Sequence, residues 1–284
     1  MRAKLLCLTA VSLVMSLPAS AAVVTESGWS VSTVPTPGLV QPTTMQFLGP
    51  DDFFILEKAS GKVKRFTGGV PTEVLDLPVN AVSERGLLGI ELHPDFPATP
   101  SVYLYYSLAQ NADGGAWLEN RLSQFTWNGA NLVNEVPLLS FEQDPAQENG
   151  ANHDGGVLRF GPDGMLYGVT GDLNRDRAEQ NNLAAANTSS DVGGIFRVRP
   201  DGTIPDGSMG GETANPFLGE ANADFHKWYA YGVRNSFGAA FDPVTGMLWD
   251  TENGPGTDDE INLVAPGFNS GWNSVMGLDP TPGD

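Results

Sequence analysis

Apolar and polar positions alternate along this chain in short runs broken by turns, and one unit recurs. It is an apolar strand, a turn built from Pro, Asp and Gly, and a second strand carrying aromatics. One copy reads Met45-Gln46-Phe47-Leu48-Gly49-Pro50-Asp51-Asp52-Phe53-Phe54-Ile55. A second reads Gly89-Ile90-Glu91-Leu92-His93-Pro94-Asp95-Phe96, with its outgoing strand over 102–106. The third is Leu158-Arg159-Phe160-Gly161-Pro162-Asp163-Gly164-Met165-Leu166-Tyr167, and the fourth Ala240-Phe241-Asp242-Pro243-Val244-Thr245-Gly246-Met247-Leu248-Trp249. Each reads as a β-hairpin, because proline presets φ in the turn and Gly or Asp accepts its left-handed geometry. The turn prolines stand at 50, 94, 162 and 243. That spacing begins near the roughly 40–50 residues of a propeller blade and then lengthens, which places insertions in loops on one face. Long helical periodicity is not found; residues 183–186 are read as at most a helical turn. The expected fold is all-β, a β-propeller, with a β-sandwich of coincidentally similar turns as the alternative.

The first 21 residues break this pattern. A basic start with Arg2 and Lys4, an apolar run over 5–17, Pro18 and then Ala19-Ser20-Ala21 read as a secretory signal with cleavage before Ala22. The run falls short of the roughly 20 residues of a bilayer span. The expectation is a periplasmic or secreted protein with no membrane span, in which residues 22–284 form the propeller domain. Cys7 lies within the signal, so the mature chain has no cysteine, which excludes disulfides, cysteine-held clusters and thiol nucleophiles. Losing Arg2 and Lys4 makes the net charge of −19 two units more negative. Such a chain repels nucleic acid and anionic membranes, while acidic clusters suit calcium, a cation that prefers oxygen ligands.

Three segments could carry chemistry. The first is Asn149-Gly150-Ala151-Asn152-His153-Asp154-Gly155-Gly156, where a histidine sits in a tight loop with little bulk around it. Such a residue can take a proton from a substrate hydroxyl, or be a loop residue only. His93, before a turn proline, reads as structural, and His226 as a surface residue. The second is Thr251-Glu252-Asn253-Gly254-Pro255-Gly256-Thr257-Asp258-Asp259-Glu260-Ile261-Asn262. Its carboxylates and turn carbonyls are hard oxygen donors suited to calcium, or a solvated acidic loop. The stretch from Asp172 to Asp176 starts like a helical calcium-hand loop but has Arg177 for the required glycine and Leu183 for the closing glutamate, which rejects that motif. The third is Tyr229-Ala230-Tyr231-Gly232-Val233-Arg234-Asn235-Ser236-Phe237-Gly238, whose Arg-Asn pair between apolar strands calls for an anionic or carbonyl partner. No dinucleotide, phosphate-loop, zinc-helix or nucleophile-elbow motif is present.

Together these segments resemble the soluble pyrroloquinoline-quinone-dependent sugar dehydrogenases, the glucose and sorbosone dehydrogenase family of six-bladed propellers. The resemblance runs from about Pro42 to Gly277. Its carriers are Glu84-Arg85-Gly86-Leu87-Leu88-Gly89-Ile90 with His93-Pro94-Asp95-Phe96, then Asn152-His153-Asp154-Gly155-Gly156 and Gly171-Asp172. Tyr231-Gly232-Val233-Arg234-Asn235, Glu252-Asn253-Gly254-Pro255, Asp259-Glu260-Ile261-Asn262-Leu263 and Gly267-Phe268-Asn269-Ser270-Gly271-Trp272 follow. The resemblance implies His153 as the general base that removes the proton of a sugar hydroxyl while hydride moves to the quinone, and Asp172 as the carboxylate orienting it. It implies Arg234, Asn235 and Glu84 as contacts of the quinone. It also implies a calcium ion held by the carbonyls of Gly254 and Pro255 in the loop that carries Asp259, and a second held by Glu260 with the backbone of Ser270.

The chain departs from the family's usual Gly-His-Arg-Asn-Pro-Gln at Val233, Ser236 and Phe237, and has Glu84 where glutamine is common. Only twelve residues follow Trp272, fewer than the roughly 40 of a blade. The expectation is therefore about four to five blades of the family's six, incomplete at the C-terminus. The implied activity is oxidation of an aldose sugar, with electrons passed to an external acceptor. A calcium-binding recognition module without catalysis and a calcium-dependent hydrolase of lactones or esters are the alternatives. The His153, Asp172, Arg234 and Asn235 set favours the dehydrogenase, since a recognition module needs no base.

Overall fold

Among the described residues, four antiparallel sheets, each formed from consecutive strands, make up the β structure. The computed structural model describes residues 25, 27–31, 38–141, 150–174, 192–272 and 274–277. The expected signal over 1–21 and the helical turn at 183–186 lie outside them. Two units are distinguished, Met1–Pro35 and Thr36–Asp284. Of the first, residues 25 and 27–31 are described, all exposed.

The second unit carries the sheets. Blade 1 is β1 (Pro42–Gly49), β2 (Asp52–Glu57), β3 (Lys62–Thr67) and β4 (Val70–Asp76). Blade 2 is β5 (Leu87–Leu92), β6 (Ser101–Ala109), β7 (Trp117–Trp127) and β8 (Leu132–Phe141). Blade 3 is β9 (Leu158–Phe160), β10 (Leu166–Thr170), β11 (Gly194–Val198) and β12 (Trp228–Tyr231). Blade 4 has β13 (Ser236–Phe241), β14 (Leu248–Glu252) and β15 (Glu260–Val264). Strand order within each blade is sequential, the meander of a propeller. The first strands of successive blades lie beside one another, β1 by β5, β5 by β9 and β9 by β13. Each recurrent proline turn joins the first two strands of its blade, and Gly164 (φ +76°) and Gly246 (φ +72°) supply left-handed geometry in two of them.

In blades 1 to 3 the second strand is buried along most of its length, so it is mainly apolar rather than alternating, whereas β14 of blade 4 alternates. Phe53 to Leu56 in β2 and Val102 to Tyr106 in β6 are buried without a break. Three cores result. Phe54, Leu56 and Val63 pack on Leu87, Leu104 and Phe125 between blades 1 and 2. Tyr103, Tyr105 and Phe141 pack on Leu158, Phe196 and Trp228 between blades 2 and 3. Val169 and Ile195 pack on Leu248 and Val264 between blades 3 and 4. Each such side chain contributes about 1.5–3 kcal/mol, and together they hold the loops at the blade ends in place.

Candidate active site

The candidate residues come from loops at corresponding ends of the blades. Glu84 and His153 lie in the segments leading into β5 and β9, and Arg234-Asn235 in the segment leading into β13. Asp172 follows β10, the loop with Gly254, Pro255 and Asp259 joins β14 to β15, and Ser270 and Trp272 follow β15. These site loops gather at the end opposite the proline turns, but the long segment 199–227 between β11 and β12 lies at the proline-turn end, so the insertions are not confined to one face as the spacing predicts.

His153 has φ +63°, a left-handed conformation that costs a non-glycine residue about 1–2 kcal/mol. Its surroundings hold it there. The backbone N–H of His153 donates to Glu84 Oε2 (2.7 Å), and its carbonyl accepts from the Leu173 N–H (3.2 Å). Gly171 is required beneath it: a Cβ there would stand 2.2 Å from the His153 carbonyl oxygen and 2.8 Å from that of Arg234. Strain maintained in this way is characteristic of a functional position. The ring Nδ1 lies 2.5 Å from Asp172 Oδ1. Because the carboxylate accepts, Nδ1 carries the hydrogen and Nε2 is left to accept a proton.

Asp172 is buried and surrounded by donors. The Asn174 N–H donates to Oδ1 (2.8 Å) and the Trp272 indole Nε1–H to Oδ2 (2.7 Å). The Asp172 N–H in turn donates to the Arg234 carbonyl (2.8 Å), joining the base to the Arg-Asn pair. Asn235 is buried; its Nδ2 donates to Glu84 Oε2 (3.1 Å) and its Oδ1 accepts from the Gly155 N–H (3.2 Å). Glu84 therefore bridges the base and the amide through one carboxylate oxygen. The Arg234 guanidinium lies over the Trp272 ring (5.3 Å) and its Nη1 donates to the Asn253 carbonyl (2.9 Å). Its Nε is buried without a hydrogen-bond partner, the unmet donor that the sequence pattern anticipates.

Buried charge surrounds this group. Burial pushes the Asp154 carboxyl up to about 6, against the opposing effects of Asn120 and Arg85. Desolvation lowers Lys58, whose Nζ donates to the Ser83 carbonyl (2.6 Å). Glu252 accepts from the Arg234 N–H (2.6 Å) and from the Ser270 hydroxyl. Desolvation first, then Asp250 and Glu260 nearby, push it up to about 8 despite those bonds. Asp250, bonded by the Ser236 hydroxyl (2.9 Å), is pushed up to about 6 by burial, and its Oδ1 has no partner.

The expected calcium residues fall into two neighbouring places. Asp259 Oδ1 accepts from the Gly254 N–H (2.9 Å) and shapes the loop that presents Gly254 and Pro255. Glu260 accepts from Asn262 Nδ2 (3.1 Å) and from the Gly277 N–H, while Asn262 also reaches the Ser270 hydroxyl (3.3 Å). Among the described residues, no three His, Cys, Asp or Glu side chains converge as a preformed metal cage.

A cavity of about 400 Å³ runs between the innermost strands, lined by Thr43, Leu88, Val157, Arg159 and Phe237. Glu84 and Gly155 join it to the site, with Lys58 and Ser83 beside them. Phe237, where the family has glutamine, is exposed on this cavity, while Val233 is buried in the core between blades 3 and 4. His93 caps its turn by accepting from the Asp95 N–H (3.1 Å), as a structural histidine does. His226 is half-buried, and its Nε2 bonds the Glu220 carbonyl (3.0 Å). The sequence reading names neither Trp272 nor Glu252 as a site residue. Both stand inside quoted motifs, but their partners lie 100 and 18 residues away.

The sequence model of the family described as Glucose / Sorbosone dehydrogenase matches residues 39–281. Quinoprotein glucose dehydrogenase B of Acinetobacter calcoaceticus is 30% identical over 256 residues, 83% of this chain and 51% of that protein. An aldose sugar dehydrogenase of Escherichia coli is 30% identical over 246 residues, 82% of this chain and 59% of that protein. The chain thus spans about half to three-fifths of the length of these curated relatives. Among solved structures, the PQQ-bound aldose sugar dehydrogenase of Streptomyces coelicolor aligns with a TM-score of 0.70 and 31% identity. That alignment covers 89% of this chain and 68% of the other.

Proposed function

Because the chain belongs to the glucose/sorbosone dehydrogenase family, we propose that it serves as an exported, quinone-dependent dehydrogenase that oxidises the hydroxyl of an aldose sugar. The observation that carries this reading is the pair His153 and Asp172, 2.5 Å apart, joined through Glu84 to Asn235 and through Asp172 to Arg234. His153 Nε2 takes the hydroxyl proton. Asp172 holds the ring in the tautomer that leaves Nε2 free and offsets the charge that develops on it. Arg234 and Asn235 would hold pyrroloquinoline quinone, and the partnerless Arg234 Nε fits an anionic group. When bound, the quinone supplies the acceptor for the hydride leaving the sugar carbon, and an external acceptor takes the electrons onward.

Calcium fits the oxygen donors of Gly254, Pro255, Asp259, Glu260 and Ser270, a set without nitrogen or sulfur. The partnerless buried Asp250 Oδ1 beside Glu260 adds an unmet acceptor for a cation. No helix among the described residues is long and apolar enough to cross a membrane.

The test mixes the protein with calcium, pyrroloquinoline quinone and a panel of aldoses, and follows the quinone absorbance. The expected outcome is calcium-dependent bleaching by at least one aldose. Sugar binding without an absorbance change would replace this reading by that of a recognition module.

A further inference from the structure

We infer that Trp272 is a positioning residue for the His153–Asp172 pair and links that pair to Arg234. Its consequence for turnover rests on the dehydrogenase reading; its physical basis does not. The Asp172 side chain is 2% exposed, so each of its oxygens depends on protein donors. Oδ1 takes His153 Nδ1 and the Asn174 N–H, and Oδ2 takes the Trp272 indole at 2.7 Å. With the indole N–H removed, the carboxylate would have a buried oxygen to satisfy and reason to rotate, and the histidine ring would lose its fixed reference. The same indole lies under the Arg234 guanidinium at 5.3 Å. Trp272 is itself fixed to the segment that carries Arg234, since its N–H donates to the Gly232 carbonyl (2.9 Å). One ring therefore meets the carboxylate through its edge and the cation through its face.

A carboxylate with one donor fewer keeps more of its charge for the imidazolium. The other charged groups facing the pair are Glu84, which bonds the His153 N–H, Asp154 next to it in the chain, and Arg234. All three are kept in the variant. The test is nuclear magnetic resonance of the chain without sugar or quinone, where three histidines leave the ring signals readily assigned. In the unaltered chain, the Trp272 indole N–H signal, assigned through Trp272→Phe, shifts with pH through the same midpoint as the His153 ring signals, assigned through His153→Gln. In Trp272→Phe, that His153 midpoint moves up relative to the unaltered chain. An indole signal indifferent to the His153 midpoint overturns the inference, and this arm needs only the folded parent. A folded Trp272→Phe variant with an unmoved midpoint overturns it too. Absence of sugar oxidation by the parent would defeat the proposed function and leave these measurements as they are. Where turnover is present, Trp272→Phe lowers kcat about tenfold with KM little changed.

Discussion

His153 performs two tasks at one position: its backbone is held in a strained conformation and its ring is aimed by a buried carboxylate. His153→Ala removes the proton acceptor and leaves the Glu84 bond to its N–H in place, so turnover falls by about 10²–10⁴-fold while the melting temperature changes little. A variant retaining more than about a tenth of the parent rate would remove the base from the mechanism. Asp172→Asn costs less, because the ring remains but loses its orientation. Glu84 allows a finer test. Its Oε2 accepts from both the His153 N–H and Asn235 Nδ2, and the amide oxygen of glutamine can do the same. Glu84→Gln should therefore keep turnover within about threefold, while Glu84→Ala, with two buried donors unmet, loses about 10²-fold. Equal loss in both variants, read from kcat/KM on one aldose, would mean that the charge of Glu84 matters and its bridging does not.

Between elements, the weak point is a half-buried acid joining the inner strands of blades 2 and 3. Glu91 in β5 reaches Arg159 of β9 at 3.4 Å, and burial pushes its carboxyl up to about 7 despite that partner. The folded state then holds a proton that the unfolded chain has released above about 4.5. Stability is lost as pH rises from there through about 7. Glu91→Gln does not titrate, so its melting temperature should match the parent near pH 4 and exceed it by a growing margin up to pH 8. The gain at high pH is at most about 3 kcal/mol. A variant less stable at pH 8 would show that the Arg159 ion pair outweighs the cost of burial.

The hairpins holding these strands were legible because each combines a proline turn with an apolar or aromatic opening to its second strand, both local signals. The outer strands of each blade, such as β4 and β8, carry many exposed polar positions and no turn of fixed type, so nothing local marks them. The same distinction applies within the site. His153, Arg234 and Asn235 stand in short motifs of unusual composition. The indole of Trp272 meets its carboxylate partner 100 residues away, a distance that no periodicity reports.

At the scale of the molecule, three inter-blade cores leave apolar side chains exposed on the outer faces of blades 1 and 4. On blade 1, Phe53 and Phe66 are buried in a small cluster with Ile55 and Leu39, and Phe47, its ring 5.6 Å from that of Phe53, is left 59% exposed. On blade 4, alternation along β14 turns Leu248, Asp250 and Glu252 inward and Trp249 and Thr251 outward. The register sets Trp249 opposite Leu263 and Thr251 opposite Ile261, which is 74% exposed. Contiguous exposed apolar surface of this kind drives association, and flat sheet faces stack readily. The 284-residue chain should therefore gain mass with concentration in light scattering, more strongly in salts that strengthen apolar burial. A lysine in place of an outward side chain leaves the inter-blade cores intact, so Ile261→Lys with Phe47→Lys should return it to a monomer with its melting temperature within a few degrees of the parent. If parent and double variant show the same mass across the concentration range, these faces do not associate, and the soluble form of the chain satisfies them in another way.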